Sequence, residues 1–587
     1  MSSTAIIRRL RIDKFRGLKA FDWLPREGMN VILGGGDMGK TTVLDALAML
    51  LSPTNGATVT ETDYWQRETE TDFVVEATVS LPVEAGIEDQ RRMAYPWNWN
   101  GEEAVQPAGK DGEEVEPEKP VYVIRVRGTT DLEPSWEVVQ PDGSTEHLSV
   151  SVRRQIGLVR LSSDERNDRD LRLVYGSALD RLVADNGLRA RIGKQMAKVS
   201  LANELLEESR IALEKLNEKM GDNRLPTGLS LGMTSGQGPS IGSLIGLLAL
   251  HEGKEIPLSS WGAGTRRMAA LEVAAATAKH ASLTTIDEIE RGLEPYRLRK
   301  LLRILEETAG QVFLTTHSAV AIECVGKKGH LWYLDGKGRI GYLPSSKIAQ
   351  QQRRDPETFL AKLAVVGEGK TEVGFLSFLL GKAFAGDPLD DGIRICDGQG
   401  NDAVLDLLET MAGANLECAG LVDDEGRSPA RWAKLKSKMN GLLLQWPQAA
   451  TEGAVIAAIP DAKLEDLIRN DEDGLTGSRL RTLADRLGID ARDLESIKAA
   501  LAVQKKSFKA LIIEAATGSS VGAPVGGEGK AWKRHGQHWF KRDGGGEELA
   551  AKMISLDAWA SLKAPVMTLV NAVLAAMGRP PIVDLPA

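Results

Sequence analysis

The sequence predicts an α/β protein with two parallel-sheet cores in succession, the first carrying a helical insertion and the second followed by closing helices. Three stretches predict it. Met29–Leu33 is an apolar run that passes through a glycine-rich loop into an apolar helical pattern at Val43–Leu50. Leu363–Val366 repeats that arrangement, running through Gly367-Glu368-Gly369-Lys370-Thr371-Glu372 into a helical pattern at Phe375, Leu376, Phe378 and Leu379. Ala419–Val422 is a further buried-strand pattern, ending in Asp423, Asp424 and Glu425. At 587 residues the chain is too long for one core. The expected organisation is a first α/β domain over 1–170 and 223–345, interrupted by a helical insertion over 171–222. A connection follows over 346–360, then a second α/β domain with terminal helices over 361–587.

Composition narrows the class. An apolar fraction of 42% and a charged fraction of 26% are those of a globular protein. The three cysteines, Cys324, Cys396 and Cys418, form no CxxC pair, which argues against a disulfide framework and a zinc ribbon. No secretory signal and no uninterrupted apolar span of membrane length is read, so a cytoplasmic protein without a membrane partner is expected. The net charge of -9 argues against indiscriminate nucleic-acid binding, but leaves room for a local basic groove or a metal-bridged contact.

In chain order, residues 4–24 read as two strands around Phe15-Arg16-Gly17-Leu18. The loop Gly34-Gly35-Gly36-Asp37-Met38-Gly39-Lys40-Thr41-Thr42 is GxxxxGK[ST] between a strand and a helix. Its glycines, Gly34 and Gly39 among them, let the backbone wrap phosphates. The helix N-terminus adds positive potential, Lys40 reaches the β- and γ-phosphates, and Thr41 binds Mg²⁺. Residues 171–222 are Leu-, Ala-, Glu- and Lys-rich and read as a two-helix hairpin, either a dimerising arm or a packed lid. Residues 223–243 read as a Gly/Ser-rich loop. Leu258-Ser259-Ser260-Trp261-Gly262-Ala263-Gly264 then opens a helix expected over Met268–Ala278. Ala281–Glu288 reads as a strand ending in Asp287-Glu288, and Val312–His317 as a strand ending in histidine.

These motifs, in this order, resemble an ABC-type ATPase domain of the RecF and SMC branch. The resemblance implies ATP as cofactor, with Ser260 and Gly262 in a signature loop facing the γ-phosphate bound by a second subunit. Asp287 would hold the Mg²⁺ shell, Glu288 would orient the attacking water, and His317 would be the switch histidine. Gln66 falls where such ATPases carry a glutamine that senses Mg²⁺ and nucleotide; an exposed loop residue is the alternative.

In the second domain, Glu368 ends a strand and Glu372 lies on the first turn of the next helix, the edge where open α/β sheets gather ligands. Asp423 and Glu425, two apart, are expected to point together, and four such carboxylates suit hard divalent cations. A strand ending in Glu, followed by a strand ending in an acidic pair, resembles the Toprim domain. An ABC-type ATPase fused to Toprim resembles the OLD (overcoming lysogenisation defect) family of nucleases, and the GGGDMGKTT form resembles the class that includes the Gabija nuclease subunit. That resemblance implies cleavage of double-stranded DNA by two Mg²⁺ or Mn²⁺ ions, at least a homodimer, an adjacent helicase partner and a role in anti-phage defence. By it, Glu368, Glu372, Asp423 and Glu425 are metal ligands, with Asp424 as the substitute for Glu425. Glu465 is either a further ligand or a helix-surface acid, and Asp397 could support from behind. The basic, aromatic-rich run Lys530–Arg542 is expected to contact phosphate; Lys541, or alternatively Lys530, would be the catalytic lysine. All seven tyrosines lie at or before Tyr342, which argues against a topoisomerase nucleophile in the second domain. The rival expectation is an ATPase that clamps DNA without cutting it.

Overall fold

The computed structural model describes residues 4–55, 58–82, 85–87, 94–107, 116–161, 170–174, 177–183, 205–233, 245–277, 283–307, 310–471, 474–523 and 528–586. The chain divides into two compact units, residues 1–342 and 343–587.

The first unit is built on a six-stranded sheet in the order Leu158–Leu161, Leu283–Ile286, Gln311–Thr315, Met29–Leu33, Gly329–Leu334 and Ile340–Leu343. Its first five strands run parallel. Met29–Leu33 and Gln311–Thr315 are buried at every residue, as central strands of a sheet covered on both faces must be. The Lys40–Leu50 helix packs Val43, Leu44, Leu47 and Leu50 into the core it shares with a separate antiparallel sheet. In that second sheet Ile6–Phe15, Phe73–Ser80 and Pro120–Gly128 are successive neighbours.

The insertion differs from its expectation. Leu171 and Leu173 exchange backbone hydrogen bonds with Leu247 and Ile245, so the stretch opens along a strand edge and not as helix. Helices follow at Ala178–Val183 and Glu207–Asp222; residues 184–204, where a hairpin turn would fall, lie outside the described residues. Within 223–243, Ser230–Met233 is a strand paired antiparallel to Ile245–His251.

The second unit holds a four-stranded sheet in the order Ile393–Asp397, Leu363–Gly367, Cys418–Val422 and Leu443–Gln445, all parallel. After Leu363–Gly367 the chain crosses to one neighbour, and after Ile393–Asp397 it returns to the other. The carboxyl ends of Leu363–Gly367 and Cys418–Val422 therefore flank the crevice where the winding reverses, the usual ligand position in such sheets. The expected connection 346–360 is instead folded. Ser345–Arg354 is a helix, Ile348 and Phe359 are buried, and Asp355 and Glu357 pair with Arg394 on the edge strand. What its polar run encodes is an edge cover.

The closing helices include Gly545–Ser555 and Trp559–Ala576. The latter is long and apolar enough to cross a membrane by length and composition, with mean hydropathy 1.3, although Lys563 and Asn571 interrupt its apolar run. Its apolar side chains are largely spent inward: Val566, Leu569, Val570, Val573 and Leu574 lie in the unit's core. The Gly545–Ser555 helix crosses the Lys370–Phe384 helix at glycines. A Cβ on Gly546 would sit 2.0 Å from the Thr371 carbonyl oxygen and 2.6 Å from the Phe375 nitrogen. Both obstacles are backbone, so neither can turn aside. Gly546→Ala should therefore destabilise the second unit by about 3 kcal/mol, the upper end for overpacking, read as a lowered unfolding midpoint in thermal melts of the full chain. An unchanged midpoint would show that the helices can separate freely.

Candidate functional sites: a phosphate loop and a buried carboxylate cluster

In the first unit the glycine-rich loop has the conformation a phosphate cradle requires. Gly34 has φ +149°, and a Cβ there would meet the Leu334 carbonyl oxygen at 2.5 Å; Gly39 has φ +90°. Only glycine sits without strain at both. Lys40 is buried, and its Nζ donates to the carbonyls of Gly34 at 2.9 Å and Gly35 at 2.6 Å. Burial lowers its pKa, while Asp287, Glu288, Glu290 and Asp37 oppose that shift. Thr41 Oγ1 donates to Asp287, 3.2 Å from either carboxylate oxygen. The Thr315 hydroxyl donates to Asp287 Oδ1 at 2.7 Å. Thr41, at the start of the Lys40–Leu50 helix, is thus brought against Asp287, just past the Leu283–Ile286 strand. Arg16 reaches Asp63 at 2.9 Å and also pairs with Asp45 on the Lys40 helix, bracing that helix against the segment that leads to Gln66. Thr42 is half-buried, and Gln66 is exposed, with φ 54°.

Ser260 and Gly262 lie exposed. The helix after them spans Ala263–Thr277, starting five residues before the expected Met268. The helix can start that early because Gly264 lets it press on the Gly292 turn: a Cβ there would meet the Gly292 oxygen at 2.3 Å. Glu288 is partly exposed and pairs with Arg291 at 3.3 Å. His317 is exposed just past its strand. The residue that sequence reading missed is Glu290. Its Oε1 accepts the His317 backbone N–H and its Oε2 accepts the Thr316 hydroxyl, both at 2.7 Å.

In the second unit, one carboxylate oxygen each from Glu372, Asp423 and Glu452 lie within 4.8 Å of one another, and the set is the candidate metal cluster among the described residues. Glu372 and Glu452 are 4% and 1% exposed, so the charge is held largely out of water. Burial first, then Asp423 and Glu452, push the Glu372 carboxyl well above its ordinary range. Burial, Glu452 and Glu368 push Asp423 up to about 7. Each acid is oriented by one set of donors. Glu372 Oε2 accepts Gly369 N–H at 3.0 Å. Asp423 Oδ1 accepts Thr451 N–H at 2.9 Å and the Thr451 hydroxyl at 3.1 Å. Glu452 Oε1 accepts the Thr371 hydroxyl at 2.7 Å, while its buried Oε2 has no partner. An unsatisfied buried carboxylate oxygen beside two others is an arrangement that a hard cation resolves, so the residues present fit a divalent ion.

Glu368 stands at the rim. Its Oε2 accepts the Asp423 backbone N–H and the Asn401 side chain, both at 3.0 Å, and Asn401 also donates to the Asp423 carbonyl at 2.9 Å. Burial raises the Glu368 pKa against those bonds. Lys541 is exposed along its chain, yet the carboxylates of Glu452, Glu372, Asp423 and Glu368 outweigh desolvation and raise its pKa.

Several expected positions differ. The strand ends at Val422, so the alternation meant to align Asp423 with Glu425 does not extend to them: Glu425 is exposed and pairs with Arg427 at 3.4 Å. Asp424 accepts the backbone N–H groups of Gly426 and Gln448, and Asp397 that of Gln399. Glu465 pairs with Lys498 at the surface, as its helix-surface alternative has it, and Glu452, which the sequence reading did not name, stands in the cluster. Lys530 is exposed. Trp532, Trp539 and Phe540 of the basic run are buried core residues.

The family described as AAA domain, putative AbiEii toxin, Type IV TA system matches residues 29–323. No curated protein matches the chain. Among solved structures it is similar to the SmcHead bound to the C-winged helix domain of ScpA, at 16% identity and TM-score 0.37, over 59% of this chain and 99% of that one. It is also similar to the Smc head domain with an extended coiled coil bound to the C-terminal domain of ScpA from Pyrococcus furiosus (16%, 0.36, 59% and 98%). A third is the recombination mediator protein RecF with ATP (14%, 0.34, 58% and 99%). At such scores likeness alone decides nothing, and the first unit stands on the family match and its own geometry.

If His317 reads the γ-phosphate, Glu290→Ala should lower kcat for ATP hydrolysis about 100-fold, the scale of losing one preorganised contact at a transition state. ADP, which lacks that phosphate, should bind as tightly as before in a fluorescent-ADP titration. Hydrolysis at the wild-type rate would remove Glu290 from the site.

Proposed function

The chain belongs to the family described as AAA domain, putative AbiEii toxin, Type IV TA system, and from that premise we propose that its ATPase unit regulates a metal-dependent DNA endonuclease in its second unit. The observation that carries the second half is the convergence of Glu372, Asp423 and Glu452, with an unpartnered buried oxygen on Glu452.

Glu372, Asp423 and Glu452 would hold a divalent cation, Mg²⁺ or Mn²⁺, with Glu368 and Glu425 nearest to serving a second. Such ions supply a hydroxide nucleophile at neutral pH and neutralise the leaving oxygen of a phosphodiester. The chain's own groups do the rest. Lys541 offers a cation to the extra negative charge on phosphorus in the transition state. Asn401 and the Asp423 backbone N–H turn one Glu368 oxygen inward, which leaves the other to face solvent and substrate. Thr371 and Thr451 hold Glu452 and Asp423 from behind.

In the first unit, Lys40, Thr41 and Asp287 would bind ATP·Mg²⁺, with Glu288 and His317 at the γ-phosphate. The exposure of Ser260 and Gly262 supports a second copy of the chain completing that site. ATP occupancy would then gate access of double-stranded DNA to the carboxylates. A role in anti-phage defence accords with the toxin in the family description, since an enzyme that cuts DNA must be held in check.

A plasmid-nicking assay with Mg²⁺, Mn²⁺ or Ca²⁺, with and without ATP, tests the proposal. Glu452→Gln should reduce nicking at least about 100-fold, beyond what loss of an outer-shell partner alone costs, and leave ATP hydrolysis intact. Lys40→Ala should abolish the response of nicking to ATP. A wild type that hydrolyses ATP and retains DNA but never nicks it is a clamp, and the nuclease reading falls.

A further inference from the structure

The helix Glu528–His535 leads directly to Lys541 and is sharply two-faced. Lys530, Lys533 and Arg534 are exposed. Their spacing of three and four residues puts them on one side of the helix. Trp532 and His535 point the other way and are buried. Among the described residues, none of the three cations has an ion-pair partner.

The inner face is pinned by a buried arginine. Arg486 lies 4.6 Å from the Trp532 ring centroid, donates to His535 Nδ1 at 3.1 Å, and caps the carbonyls of Ser519 and Trp532 at 2.8 and 3.3 Å. The helix therefore cannot roll to bury its cations. Its far end is tied to the cluster: Lys541 N–H donates to the Gly536 carbonyl at 3.0 Å. The Lys541 side chain lies against Gly536, where a Cβ would meet it at 3.2 Å. A rigid cationic stripe thus runs back from the one lysine in the field of the four carboxylates. Eight helical residues span about 12 Å, the rise of three to four base pairs at about 3.4 Å each.

We propose that Lys530, Lys533 and Arg534 form a docking ridge for the phosphate backbone of duplex DNA, feeding the strand toward Lys541. The ridge rests on the nuclease reading of that cluster and adds where the substrate lies. Phosphate is the chemistry that fits: three exposed cations without carboxylate partners among the described residues, the helix's Trp532 turned into the core, and a chain whose net charge of -9 would otherwise repel a polyanion. Contacts of this kind set affinity and register without reading sequence.

The test is binding of a duplex oligonucleotide to the full-length protein in Ca²⁺, followed by fluorescence anisotropy across salt. The variants are the triple Lys530→Gln, Lys533→Gln, Arg534→Gln and, separately, Lys541→Ala. Each phosphate contact contributes about 0.9 to the slope of log affinity against log salt. Wild type should therefore lose about 40-fold more affinity than the triple variant between 50 and 200 mM salt. In Mn²⁺ the triple variant should raise KM for nicking more than it lowers kcat, while Lys541→Ala should lower kcat more than it raises KM. Wild-type binding with an unchanged slope in the triple variant overturns the ridge and leaves the nuclease standing. No duplex binding by wild type overturns both. Tighter binding of duplex RNA than of DNA overturns DNA as the occupant. Unfolding midpoints within a degree or so of wild type confirm that the exposed substitutions left the fold alone.

Discussion

The second unit depends on negative charge being kept where water cannot solvate it. Glu372 and Glu452 are almost fully buried beside a half-buried Asp423. Placing three carboxylates within 4.8 Å of one another out of water is unfavourable on two counts, desolvation and mutual repulsion. The raised pKa values of Glu372 and Asp423 express both. What holds the arrangement is a donor for each acid, Gly369 on Glu372, Thr451 on Asp423 and Thr371 on Glu452, with one Glu452 oxygen left unpartnered. A site so built is poor as a protein interior and good as a cation receptor.

The first unit solves the complementary problem with the same architecture. Both units place their chemistry at the carboxyl ends of parallel strands. In the first, Lys40 is buried and donates to the carbonyls of Gly34 and Gly35, bonds that hold its ammonium beside the glycine-rich loop. Asp287, Thr315, Glu290 and Thr316 then lace two neighbouring strand ends together. The His317 backbone is therefore joined to the neighbouring strand end by hydrogen bonds.

What could be read from the sequence follows from where the information is local. Met29–Leu33, Leu363–Gly367 and Cys418–Val422 are buried at every residue, and a short apolar run reports such strands directly. The loop from Gly34 to Thr42 carries its constraint in its own glycines. Glu452 was not legible because nothing near it in sequence names its partners. It stands second in a short helix, where an acid usually serves the helix dipole, and only the sheet's winding carries it to Glu372. Glu465 looked equivalent in composition, but a contact 33 positions away, to Lys498, holds it at the surface. The expected alignment of Glu425 with Asp423 was lost for a different reason: two-residue alternation ends where the strand ends. The aromatic residues of the basic run misled in the same way, since burial of Trp539 and Phe540 depends on Arg479, sixty residues earlier in their surroundings and silent in the local pattern.

Arg479 explains why a small sheet carries so many helices after it. Its guanidinium is wholly buried and pairs with both oxygens of Glu548, at 2.9 and 2.7 Å. It also donates to the carbonyls of Leu467, His538 and Trp539, at 3.2, 3.2 and 3.5 Å. Its charge lies 5.3 and 5.2 Å from the ring centroids of Trp539 and Phe540. One side chain therefore fixes the backbone just before Lys541 and, through Glu548, the helix whose glycines press on the Lys370–Phe384 helix. Glu372 rides on that second helix. A lysine on a free loop would be drawn into the carboxylates and neutralise them. Held from behind by Arg479, Lys541 stays at the cluster's edge. The helical half of the unit is best understood as the brace that prevents those opposite charges from closing on each other.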